Sequence, residues 1–142
     1  MRAGGGRVPA SGLRVALCFG TFPPERNGGS DFVANLATAL GGMGCDVHVL
    51  TSYRELETAE STPANVSVHR IIDNWTLMHG RASLERANRI IEREGIDVLH
   101  VLFPDSVISH EYELPALIGF NRVPLVTTFW RMSVFTFSVR AK

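Results

Sequence analysis

A chain of 142 residues is long enough for one domain with a real core. Its 45% apolar share excludes wholesale disorder, and 14 Lys plus Arg against 14 Asp plus Glu remove any electrostatic case for nucleic acid as the main partner. Every apolar run falls short of the about 20 residues that a membrane span needs.

The opening "MRAGGGRVPASG" has no apolar centre and does not read as a signal peptide, so residues 1–12 are expected to be a flexible tail and the cytoplasm is the default compartment. "LRVALCFG" (13–20) is an apolar run closed by glycine, a buried strand. A loop, "TFPPERNGG", leads into "SDFVANLATALGGMG", where Val33, Leu36, Ala37 and Leu40 share one helix face. Ser30 or Asp31 is the expected N-cap, and Gly41, Gly42 and Gly44 offer left-handed exits.

"CDVHVLTS" (45–52) reads as a second strand, 53–65 as a polar loop and "VSVHRII" (66–72) as a third strand. "ASLERANRIIEREG" is a helix with Leu84, Ala87 and Ile91 on one face, Ile90 beside them, and Glu85 with Arg89 at i, i+4 on the solvent side. "IDVLHVLF" (96–103) is a fourth strand. "DSVISHEYELPALIG" has helical tendency, broken or kinked by Pro115, and "VPLVTTFW" (123–130) is a fifth strand. The tail from Arg131 fits either a further helix or a frayed end. Strands alternating with helices, most of them continuous apolar runs, predict an α/β fold: a Rossmann-like, doubly wound parallel sheet of about five strands in the order 3-2-1-4-5.

Ligands of such sheets collect at the carboxyl ends of the strands, at the switch between strands 1 and 4. Gly28 and Gly29 lie there, next to a helix start whose free N–H groups and dipole favour an anion. Glycine is also the commonest turn residue, so by itself the loop is equally a plain strand–helix turn. The loop lacks the G-x-G-x-x-G spacing of a dinucleotide site, strand 2 ends in Thr51-Ser52 rather than an acidic residue, and no G-x-x-x-x-G-K-[ST] occurs. An NAD enzyme and a P-loop nucleotidase are therefore disfavoured.

The two cysteines, Cys18 and Cys45, are too few for a disulfide framework and read as buried free thiols. No metal-ligand spacing links His48, His69, His79, His100 and His110, so no metal site is expected. His100, on strand 4, is the histidine with a case for facing a ligand. Trp75 reads as a loop or rim residue, whereas Trp130 ends strand 5 facing the cleft.

Taken together, "FPPERNGGSDFVANLATALGGMGCDVHVLTS", "IDVLHVLFPD" and "RVPLVTTFW" resemble, in that order, three segments of family-4-type glycosyltransferases of the GT-B fold. Pro24, Gly28, Gly29, Leu36, Ala37, Leu40, Gly44, Val47, Val49 and Thr51 fit the first segment, and Asp97 and His100 the second. The chain departs from the family's pattern at Leu102 and Trp130, which stand where it has histidines. Tryptophan cannot exchange a proton, but its ring can stack on a sugar.

The resemblance spans roughly residues 13–131 and implies one half of a GT-B fold, the N-terminal, acceptor-side domain of a retaining glycosyltransferase. That enzyme would move a sugar from a nucleotide-sugar donor to the hydroxyl of a sugar, lipid or small-molecule acceptor. It would need no metal and no cofactor besides the donor. Gly28 and Gly29 would approach the donor phosphate. His100, Asp105, Thr128 and Trp130 would line the acceptor side, and loops such as 53–65 and 73–82 would set acceptor specificity. The E-x7-E motif of the family's second domain does not occur in the sequence. Residues 13–142 are thus expected to be an incomplete N-terminal domain, truncated, with the C-terminal donor-binding domain absent and no turnover by the lone chain. The alternative is a non-catalytic binding module, or one subunit of a split enzyme that docks a separately encoded C-terminal half. Relatives with lipid acceptors add peripheral membrane association to the expectations.

Overall fold

A computed structural model describes residues 12–56, 61–76, 78–103 and 123–129. It contains, in chain order, β1 (Arg14–Cys18), α1 (Gly28–Gly42), β2 (Asp46–Ser52), β3 (Val66–Ile72), α2 (Arg81–Arg93), β4 (Val98–Phe103) and β5 (Leu125–Phe129). The strands form one parallel sheet in the order β3-β2-β1-β4-β5, as the alternation of strand and helix patterns predicts. The proposed tail (1–12, apart from Gly12), the Pro115-interrupted helix and the segment after Phe129 lie outside the described residues.

The strands β1 to β4 each serve two cores because alternate side chains leave the sheet on opposite faces. On one face Val15, Leu17, Phe19, Val47, Val49 and Leu102 pack with Val33 and Ala37 of α1, and Leu36 and Leu40 lie partly buried against them. On the other, Ala16, Cys18, Leu50, Ile72, Leu99 and Val101 pack with Ala87, Ile90 and Ile91 of α2. Both cysteines are buried free thiols.

The helix ends follow local chemistry. α1 closes through Gly44 at φ 89°, with the Cys45 N–H donating to the Leu40 carbonyl at 3.1 Å. α2 closes through Gly95 at φ 62°. On α2, Glu85 pairs with Arg81, one turn earlier, at 3.3 Å, while Arg89 donates to the Glu85 backbone carbonyl instead of its carboxylate. At the amino edge of the sheet, Asp97 joins β4 to β1: its carboxylate accepts the Arg14 N–H at 2.8 Å and its own N–H donates to the Arg14 carbonyl at 2.8 Å.

Candidate functional site at the carboxyl end of the sheet

The start of α1 differs from the expected one, and the difference bears on chemistry. Asn27, in extended conformation (φ −156°, ψ 167°), is the N-cap, and its Oδ1 accepts the N–H of Ser30 at 2.8 Å. Ser30 and Asp31 are therefore inside the helix. Ser30 is fully buried and donates its hydroxyl to the Glu25 carbonyl at 2.6 Å, which ties the first turn back onto the loop. Gly28 and Gly29 are the first two helical residues rather than the loop before the helix.

Neither glycine N–H makes a hydrogen bond to a described residue, so two donors at the positive end of a 15-residue helix remain open. The two glycines are not equivalent. A Cβ on Gly28 would meet nothing within 4 Å, whereas one on Gly29 would lie 2.5 Å from Cζ and 2.7 Å from Cε1 of Phe19. Gly29 lets the buried Phe19 ring close the gap between β1 and α1.

The loop between β1 and α1 is braced from the neighbouring strand ends. Ser52, the last residue of β2, donates to the Gly20 carbonyl at 2.5 Å and accepts the Trp75 indole N–H at 2.8 Å. Trp75 lies in the loop after β3, as expected, with its side chain partly buried against the α2-side core. Arg70 of β3 donates to the Pro23 carbonyl at 2.5 Å, and Arg54 pairs with Glu25 at 3.3 Å.

Across the sheet, His100 is the third residue of β4, level with Leu17 of β1 and Val126 of β5, and so sits below the strand tip. Its Nε2 shares a 2.8 Å hydrogen bond with Oγ1 of Thr128. Burial pushes the imidazole below its ordinary range, which favours the neutral ring at physiological pH. Two expected cleft residues, Asp105 and Trp130, lie outside the described residues, as does His110.

The other described histidines have different settings. His48 Nδ1 and His69 Nε2 lie 2.9 Å apart in rings inclined by only 12°. The ring radii plus that contact account for the whole 5.2 Å between centroids, so the rings meet edge to edge through one shared proton. His48 Nε2 is 3.4 Å from Asp46 Oδ1. Burial, then the His48 and Arg93 charges, lower the His69 pKa against an opposing pull from Glu94. Among the described residues no cluster of three His, Cys, Asp or Glu side chains is arranged to hold a metal ion.

A cavity of about 400 Å³ that sequence patterning did not reveal opens at the carboxyl end of β3, lined by Tyr53, Arg70, Ile71, Asp73 and Arg86. Arg86 holds Asp73 Oδ1 at 2.8 Å and donates Nε–H to the Ile71 carbonyl at 2.9 Å. The buried Ser83 hydroxyl donates to the same Asp73 oxygen and accepts the Asp73 N–H at 3.1 Å. That hydrogen bond from Ser83, reinforced by Arg86, holds the Asp73 carboxyl below its ordinary range. The one available signal was a charged residue, Arg70, near the carboxyl end of β3, a strand that also carries Ser67 and His69.

The family model described as Glycosyltransferase Family 4 matches residues 26–136, well over half of the chain. The matched span takes in Asn27, Gly28 and Gly29 at one side of the sheet's switch point and His100 and Thr128 at the other. No curated protein matches the chain.

Proposed function

The chain belongs to glycosyltransferase family 4, and from that premise we propose that residues 13–142 are the N-terminal, acceptor-side domain of a retaining GT-B transferase. It works against a donor-binding domain, whether that domain is carried in the same polypeptide or in another. In the reaction, the bond from the donor's anomeric carbon to phosphate breaks and the nucleoside diphosphate leaves. A bond from that carbon to the acceptor oxygen forms, the acceptor hydroxyl's proton passes to an oxygen of the departing diphosphate, and the anomeric configuration is kept.

The observation that carries the reading is the pair of open N–H donors on Gly28 and Gly29. Asn27 directs its side chain to Ser30 and leaves these two toward an incoming phosphate. Gly28, with open space around it, permits close approach of a ligand to the backbone. The neutral His100, held by Thr128, is assigned to the acceptor side, and the same role is proposed for Asp105 and Trp130.

Titration of the ¹⁵N-labelled chain with UDP and with GDP tests this. Saturable shifts of the Gly28 and Gly29 amides are expected with at least one of them. Shifts that bypass both glycines would overturn the donor-side role. Robust hydrolysis of a nucleotide sugar by these 142 residues alone would overturn the dependence on a donor domain.

A further inference from the structure

We propose that the cavity lined by Tyr53, Arg70, Ile71, Asp73 and Arg86 binds a sugar ring of the acceptor, gripping two adjacent hydroxyls with Asp73 and Arg86 while Tyr53 covers the ring's C–H face. The identity of the ligand as a carbohydrate rests on the glycosyltransferase reading.

Asp73 and Arg86 form an ion pair with one oxygen and one nitrogen left over. Oδ1 is engaged by Ser83 and by Arg86 Nη2, and the other Arg86 bonds run from Nε to Ile71 and from Nη2 to Ser83 at 3.2 Å. Asp73 Oδ2 and Arg86 Nη1 make no hydrogen bond to a described residue. The ion-paired residues thus bring an acceptor and a donor to the lining of one cavity. Neighbouring hydroxyls on a ring are complementary to this arrangement: one donates to the carboxylate and the next accepts from the guanidinium.

Both groups are fixed before a ligand arrives. Ser83 is fully buried and takes the Asp73 N–H, and the Ile71 carbonyl anchors the Arg86 plane. Little rotamer freedom is then left to lose on binding. The Asp73 carboxyl, lowered by Ser83 and Arg86, stays an acceptor at any physiological pH.

Tyr53 is 65% exposed, although its backbone is tied to β3 by an N–H bond to the Ile72 carbonyl at 2.7 Å. A large aromatic ring left open beside a fixed polar pair provides the apolar platform on which the C–H face of a pyranose lies. Arg70, which lines the same cavity, also holds the Pro23 carbonyl, so the cavity wall is continuous with the loop that leads to Gly28.

The experiment is an NMR titration of the full chain with methyl α-D-glucopyranoside, methyl α-D-mannopyranoside and methyl α-D-galactopyranoside. 2-Methoxytetrahydropyran, a ring without hydroxyls, is the control. At least one glycoside is expected to shift the Tyr53 ring and the Arg86 Nε–H saturably, and the control is not. Tyr53→Ala, at an exposed position, is expected to leave the fold intact and weaken that binding by about five-fold. Absence of saturable shifts with all three glycosides, equal shifts with the control, or unchanged affinity in Tyr53→Ala would overturn the proposal. UDP-induced shifts at Gly28 and Gly29 with no glycoside binding would sink this inference and leave the donor-side reading standing. The reverse pattern would do the opposite.

Discussion

The ring of Phe19 occupies the space a Cβ on Gly29 would need, with Cζ 2.5 Å from that position. Phe19 is buried under α1, so it cannot move aside without disturbing the core it shares with Val33 and Ala37. Gly29→Ala is therefore expected to cost about 1–3 kcal/mol, the usual penalty for overpacking. Gly28→Ala meets open space in a helical conformation and is expected to leave stability unchanged or raise it by up to about 1 kcal/mol. Urea denaturation of the two variants separates them. If they are equally destabilised, the Phe19 contact is not what selects glycine at position 29. Gly28→Ala then becomes the clean variant for asking whether a phosphate approaches this backbone.

The Asn27 cap makes a second prediction. Asn27→Ala removes the acceptor of the Ser30 N–H and is expected to lower stability by about 1 kcal/mol, while Asn27→Asp retains the cap. Thermal melts check this, and an unchanged midpoint in Asn27→Ala would rule out a stabilising cap.

Two histidines give stability a direction with pH. Burial lowers the His100 pKa from the ordinary 6.5, and burial is the leading cause of the same shift in His69. An unfolded chain takes up protons at about 6.5 that the folded chain resists, so stability is complete above that value. It falls as pH drops from 6.5 toward the lowered folded-state values, in a window above the one where Asp73 titrates. Urea midpoints between about pH 8 and about pH 5 should decline, and His100→Gln should flatten part of the slope. A slope identical to wild type in that variant would show that His100 titrates alike in both states.

Cys18 supplies a chemical readout of opening. Burial pushes its thiol up to about 12, and none of the residue is exposed. In the native state at mildly alkaline pH it should resist a disulfide reagent, reacting only as fast as the domain unfolds. Cys45 is buried as well and should behave in the same way. Immediate labelling of Cys18 in a Cys45→Ala background would contradict the packing around β1.

The strands were legible because a parallel sheet covered on both faces writes itself as largely apolar runs, as in "VALC". The order followed from the alternation with helices. The true cap was missed because Asn-Gly-Gly reads as a turn. The fit of Phe19 against Gly29 explains why the second helical residue is a glycine, whereas no packing contact explains Gly28. Glu85 and Arg89 were legible as an exposed i, i+4 pair, but the rule offers the glutamate a partner in either direction, and its carboxylate takes Arg81. The cavity at β3 left almost no trace, since Arg70 reaches a carbonyl 47 residues away and periodicity carries no such long-range term. Gly28 and Gly29 were legible as residues of the loop-to-helix junction and His100 as a residue of the fourth strand, but the Thr128 partner of His100 needed the register of β4 on β5.

Among the described residues, the braces on the loop between β1 and α1 come from one side: Leu50, Ser52, Arg54 and Arg70, all from β2, β3 or the turn between them. The loop is therefore not a portable cassette. Grafting residues 19–30 into a related domain would move the glycines without the hydroxyl and guanidinium groups that aim them. A working chimera would have to carry Ser52, Arg54 and Arg70 along, so the smallest exchangeable unit is the β1–β2–β3 half of the sheet rather than the motif.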